Sequence, residues 1–136
     1  MTEGQVKAKL YEYREAKERL DISLLKLEEL ETYLTSTGID YGNTRVTSSP
    51  RTTDRIGEMV DKLYDLQSQC IRDARLALTK MDEVCEFIAK AGDSTLEKIL
   101  IQYYILGKSW EEVAVATGYV VRHIHRLKDE AIERLR

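Results

Sequence analysis

The stretch "SWEEVAVATGYVVRHIHRLK", residues 109–128, decides the fold of this chain. Within it Ala114, Gly118 and Ile124 stand at steps of four and six, with Val113, Tyr119 and Leu127 at the remaining apolar positions. The spacing predicts two short helices that cross closely at the small Ala114. A turn at Gly118 takes the positive φ that glycine tolerates, and Ile124 and Leu127 pin the second helix onto the first. The first helix should run from Trp110 to Thr117. Ser109 is its N-cap, and Glu111 and Glu112 sit in its first turn, where the helix dipole favours negative charge. The second should run from Val121 to Leu135. A preceding helix, Leu96 to Leu106, has one broad apolar face (Leu96, Ile99, Leu100, Tyr103, Tyr104, Leu106) and stops at Gly107. This is the spacing of a helix-turn-helix, and Trp110 is expected in its core against Tyr103 or Tyr104.

Charge singles out the same stretch. The chain is acidic overall, with a formal net charge of -3, yet from Val113 to Lys128 it has no Asp or Glu and gathers Arg122, His123, His125, Arg126 and Lys128. With Ile124, Leu127, Ala131 and Leu135 turned inward, the opposite stripe of the last helix is Arg122, His125, Arg126 and Asp129. Such a stripe suits the major groove of double-stranded DNA. A guanidinium donates two hydrogen bonds to guanine O6 and N7, which points to Arg122 and Arg126 as base readers. Val120 and Val121 can touch thymine methyls, while Lys108 and Lys128 suit phosphate oxygens. The bland alternative is a packing module that docks a protein. His123 and His125 are two apart on a helix and point to different faces, with no partnered Cys or carboxylate, so no metal site and no cofactor are expected.

Outward from this segment, residues 3–36 carry Val6, Leu10, Tyr13, Lys17, Leu20, Leu24, Leu27, Glu31 and Leu34 at alternating steps of four and three. That is a heptad seam with Lys17 and Glu31 as flaws. A second seam runs through Ile56, Val60, Leu63, Gln67, Cys70, Ala74, Ala77, Met81, Val84 and Ile88. Residues 37–53, rich in Gly, Ser, Thr, Asn and Asp and holding the only proline, are expected to be a loop. Within it "RVTSSPR" could dock a phosphate or a partner, although a connector is the simpler role. The expected fold is therefore all-α. A long antiparallel, coiled-coil-like helical hairpin spans residues 1–92, and a three-helix helix-turn-helix domain spans residues 93–136. Gly92 should end the second long helix, and Ser94 with Glu97 should form a capping box for the next. Leu25, Leu30, Leu66, Ile71, Leu78 and Phe87 lie outside the seam and call for a third surface, either the C-terminal segment or a second copy of the protein, and a homodimer formed through the hairpin is the more economical arrangement.

Other classes fit poorly. No segment approaches the roughly 20 apolar residues of a membrane span, and residues 1–20 lack a signal-peptide pattern, so a cytoplasmic protein is expected. Cys70 and Cys85 are 15 residues apart on one helix, about 22 Å, beyond disulfide reach. There is no Gly-rich phosphate loop, no nucleophile with a base at a plausible spacing and no carboxylate cluster, so an enzyme is not expected.

The segment "ILIQYYILGKSWEEVAVATGYVVRHIHRLKDEAIERL" resembles the C-terminal helix-turn-helix of phage-encoded sigma-70 region-4-like regulators, including the ArpU and RinA type late-gene activators. "SSPRTTDRIGEMVDKLYDL" resembles, more loosely, the front half of a related phage family. The resemblance implies a transcription regulator of a phage, prophage or phage-related island in a bacterial cell. It would act on late packaging or lysis genes, with RNA polymerase or another phage regulator as a further partner. Two positions depart from the family: Val120 stands where Ser usually caps the recognition helix, and His125 where relatives often carry Tyr.

Overall fold

The computed structural model describes the backbone of residues 1–36 and 50–136 and the side chains of 1–36 and 55–136. The described residues form five helices and no strand, an all-α protein: α1 Glu3–Ser36, α2 Pro50–Ala89, α3 Ser94–Tyr104, α4 Trp110–Thr117 and α5 Val121–Leu135. None of the described helices is long and apolar enough to cross a membrane. Of the expected loop, residues 37–49 lie outside the described residues. Residues 50–53 belong to α2 instead. Pro50 explains the earlier start, because its fixed φ and missing N–H suit the first position of a helix.

The chain divides into two compact units, Met1–Lys17 with Leu76–Arg136, and Glu18–Arg75. The first turns of α1 and the last turns of α2 share a core with α3, α4 and α5.

In the first unit Val6, Leu10, Val84, Ile88, Ile99, Leu100, Val113 and Ile124 are fully buried. Tyr11 of α1 meets the Tyr104 ring of α3 edge-on at 5.1 Å. Lys9 lies over the Phe87 ring and Lys80 pairs with Glu12, so here α1 and α2 approach each other with opposite chain sense. The α2 end closes at Gly92, with φ 70°, and Arg134 of α5 donates to the Ala91 carbonyl at 3.2 Å. Asp93, not Ser94, caps α3. Its carboxylate accepts from the backbone N–H groups of both Thr95 and Leu96, so Ser94 is already the first helical residue. An ionised cap that satisfies two orphan donors outcompetes a hydroxyl that could satisfy one.

In the second unit Ser23, Leu34 and Cys70 are buried. Ser23 donates to the Asp73 carboxylate, which also accepts from the Gln69 amide at 3.0 Å. Leu24 is 46% exposed while Ser23 is 6% exposed, so the inward row of α1 follows Leu20, Ser23, Leu27, Leu30 and Leu34 rather than the expected heptad. The flaws in the expected seam vanish with this shift: Lys17 and Glu31 are exposed, and Ala16 and Leu30 stand in the inward row. On α2 Val60 and Gln67 are likewise exposed and Leu66 is half-buried. The observed row of α1 still repeats every seven residues but takes the neighbouring side chain at each flawed step, because burying Lys17 or Glu31 would strip a charge of its hydration. Phe87, expected outside the seam, is buried, whereas Leu25, Ile71 and Leu78 are exposed.

Candidate nucleic-acid interface

Helices α3, α4 and α5 pack on one another around Ile99, Val113, Ala114 and Ile124, with Tyr103, Trp110, Val121 and Leu127 partly buried against that cluster. Ser109 caps α4 by accepting from Glu112 N–H at 3.2 Å. The helix ends at Gly118, φ 77° and ψ 9°, whose N–H returns to the Ala114 carbonyl. A non-glycine residue here would adopt the left-handed region at a cost of about 1–2 kcal/mol. Val120 is extended at the N-cap of α5 and makes no side-chain cap hydrogen bond. Inside α5 Ile124, Ala131, Ile132 and Leu135 are buried and Leu127 is half-buried, so Ile132 joins the expected set.

The outer face of α5 carries Arg122 and Arg126, both exposed. Arg122 makes no side-chain hydrogen bond or ion pair among the described residues. Arg126 meets His123 Nδ1 at 2.9 Å through Nη2, and Tyr119 packs edge-on against the His123 ring at 4.8 Å. A guanidinium can only donate, so that imidazole nitrogen acts as acceptor and the contact needs neutral His123. Tyr119, expected as an interior apolar residue, is 41% exposed and braces His123 instead. Its hydroxyl makes a surface position tolerable while the ring keeps an apolar contact.

His125 and Lys128 face elsewhere. His125 is half-buried, 6.0 Å from the Trp110 ring in an edge arrangement. Lys128 Nζ lies 5.7 Å over that indole and 3.5 Å from Asp129, its side chain 21% exposed. The acid-free stripe thus divides into an outward pair of arginines and an inward pair of side chains that clasp Trp110. Val120 is 71% exposed, Val121 is half-buried, and Lys108 is half-buried beyond α3, its N–H bonded to the Gln102 carbonyl. Asp129, Glu130 and Glu133 are exposed and close the basic face.

Trp110 stacks flat on Tyr103, centroids 3.9 Å apart. Behind Tyr103, Arg14 of α1 donates to its carbonyl at 2.6 Å and lies 4.9 Å over its ring. The hydrogen bond with Tyr11 and the nearby Arg14 hold the Tyr103 phenol below its ordinary range, while the same bond raises Tyr11. Burial pushes the Tyr104 phenol up. Arg14 and Tyr11 are 89 and 92 residues from Tyr103 in sequence, and no local pattern signals their part in bracing the face.

The chain matches no protein-family model, no curated protein and no solved structure.

Proposed function

We propose that this chain is a sequence-specific regulator of transcription that binds double-stranded DNA, with α4 and α5 acting as a helix-turn-helix and α5 entering the major groove. One observation carries this: Arg122 and Arg126 stand one turn apart on the exposed face of α5, in a run from Val113 to Lys128 free of carboxylates. Arg126, oriented by His123, and Arg122 are the base readers. Val120 and Val121 lie at the end of α5 that would meet the groove first. Lys108 and Lys128 suit phosphates, Lys128 after leaving Trp110. His125 supports the face from beneath through Trp110.

In the same reading α1 and α2 form a helical hairpin, supported by the opposite chain sense of the Lys9 to Phe87 and Lys80 to Glu12 contacts, and the protein acts as a homodimer through that hairpin. The setting that fits is a phage, prophage or phage-related island and its late genes, with RNA polymerase as a further partner and the bacterial cytoplasm as the compartment. No catalytic step is assigned to it. A second reading, capture of a phage or host protein by the hairpin, is favoured by the exposed Ile22, Leu25 and Tyr33 of α1.

Selection from a random duplex library at near-physiological salt, run beside Arg122→Ala/Arg126→Ala, tests the proposal. The expected result is an enriched motif that disappears in the double variant. Arg126→Ala alone should lose about 1–3 kcal/mol of discrimination at one base pair. Affinity should fall by about 0.9 log units per phosphate contact for each log unit of salt. A folded protein that enriches nothing would overturn the proposal and leave protein capture.

A further inference from the structure

Within the unit Glu18–Arg75, one flank of α2 carries exposed apolar side chains. Val60, Tyr64 and Ile71 are 42%, 71% and 55% exposed. With the exposed Gln67 and half-buried Ala74 they follow steps of four, three, four and three. That is a coiled-coil seam, and it is separate from the row at Leu63, Leu66 and Cys70, about a quarter turn away at 100° per residue. Beside it Asp61, Ser68 and Arg75 stand seven residues apart, the two charges exposed and equidistant from Ser68.

We propose that this flank pairs with a second copy of the chain, α2 running antiparallel to α2 about a twofold axis at Ser68. The charges select that occupant. In an antiparallel pair, residues at equal distances on either side of the axis face each other, so Asp61 of each copy meets Arg75 of the other and Ser68 meets Ser68. The seam side chains interleave about a centre one residue beyond Ser68, which lays Tyr64 over Ala74, large against small, and Gln67 against Ile71. A parallel register would instead put Asp61 and Arg75 beside Ile56 and Cys70, where neither finds an opposite charge.

The other apolar surface of this unit suits a dry interface less well. Its groove, about 610 Å³, is lined by Leu25, Leu30 and Leu66 but also by Lys26, Glu29 and Lys62. Closing it would take three charges out of water, which is costly unless each is paired. The α2 seam holds no charge in its core positions. The pairing specifies the homodimer suggested above and is independent of DNA reading, because no residue of α5 takes part.

Sedimentation of the full chain without DNA, at about 1–100 µM where weak interfaces become visible, tests it. The wild type should dimerise. Asp61→Arg alone and Arg75→Asp alone each place like charges across both contacts and should weaken the dimer about 10-fold. An equimolar mixture of the two variants makes both contacts complementary again and should recover the wild-type association. Ile71→Glu, with helicity checked by circular dichroism, should be monomeric. A monomeric wild type would assign the flank to a different partner and overturn the proposal. So would variants that dimerise like the wild type, or a mixture no tighter than its components.

Discussion

The indole of Trp110 lies parallel to the Tyr103 ring, 5° between planes, and takes His125 on its edge and Lys128 over its face. One residue therefore joins α3 to α4 and both to α5. Removing it strips an aromatic stack worth about 0.5–1.5 kcal/mol together with the apolar contact beneath it. Because Trp110 is only half-buried, Trp110→Ala should destabilise by about 2–3 kcal/mol, below the range of a fully buried aromatic. Trp110→Phe should keep most of the stack. Urea unfolding followed by circular dichroism measures both, and equal losses would mean that a ring stacked on Tyr103 is not what stabilises this contact.

Val120 offers a gain. Its φ of -73° and ψ of 152° are those of an N-cap, yet it provides no acceptor and α5 begins uncapped by any side chain. Val120→Ser should form a hydrogen bond to a first-turn N–H and remove an apolar side chain that is 71% exposed. Stability should rise by about 1 kcal/mol. A midpoint that does not move in thermal or urea unfolding would mean that water already satisfies that end.

At Gly118 the space and the backbone make different demands. A Cβ there would meet nothing within 4 Å, but φ is +77°. Any penalty is therefore conformational rather than steric. Gly118→Ala should destabilise by about 1–2 kcal/mol, and Gly118→Asn by less because Asn tolerates the left-handed region. Equal losses for Ala and Asn would point to a steric origin that this geometry lacks.

The two short helices α4 and α5 were legible to the residue because caps and turns are local. Ser109, Gly118 and the alternation around Ile124 act within a few residues of themselves. Gly92 was legible for the same reason. Asp93 was not, since two adjacent polar residues both qualify as caps and only geometry ranks them. The seams of the long helices were harder to follow. Strict heptad counting passes through Lys17 and Glu31, and the real inward row steps to Ala16 and Leu30. Which residues of the stripe face out was only partly legible: Arg122 and Arg126 follow from helical spacing, whereas the turning of His125 and Lys128 onto Trp110 depends on an indole from another helix. The support of Tyr103 by Arg14 joins positions 89 residues apart and leaves no local trace.

Ser23 is the one buried polar residue among the described residues, and it donates to Asp73. That hydroxyl, then the Gln69 amide, and then Arg19 and Arg72 hold the Asp73 carboxyl below its ordinary value of 3.8. A carboxyl whose pKa is lower when folded than when unfolded adds stability above its unfolded pKa. The contribution is complete at neutral pH and disappears as pH falls from about 3.8 down through the folded value. Ser23→Ala removes the largest cause. The carboxyl should then titrate closer to its ordinary value, and the variant should lose less stability on acidification than the wild type while being less stable at neutral pH. Carbon-13 NMR of the Asp73 carboxyl across pH 2–6, beside urea unfolding at both ends of that range, measures each part. If the Asp73 curve is the same in both proteins, the hydroxyl does not set its ionisation and this polar contact only fills space between α1 and α2.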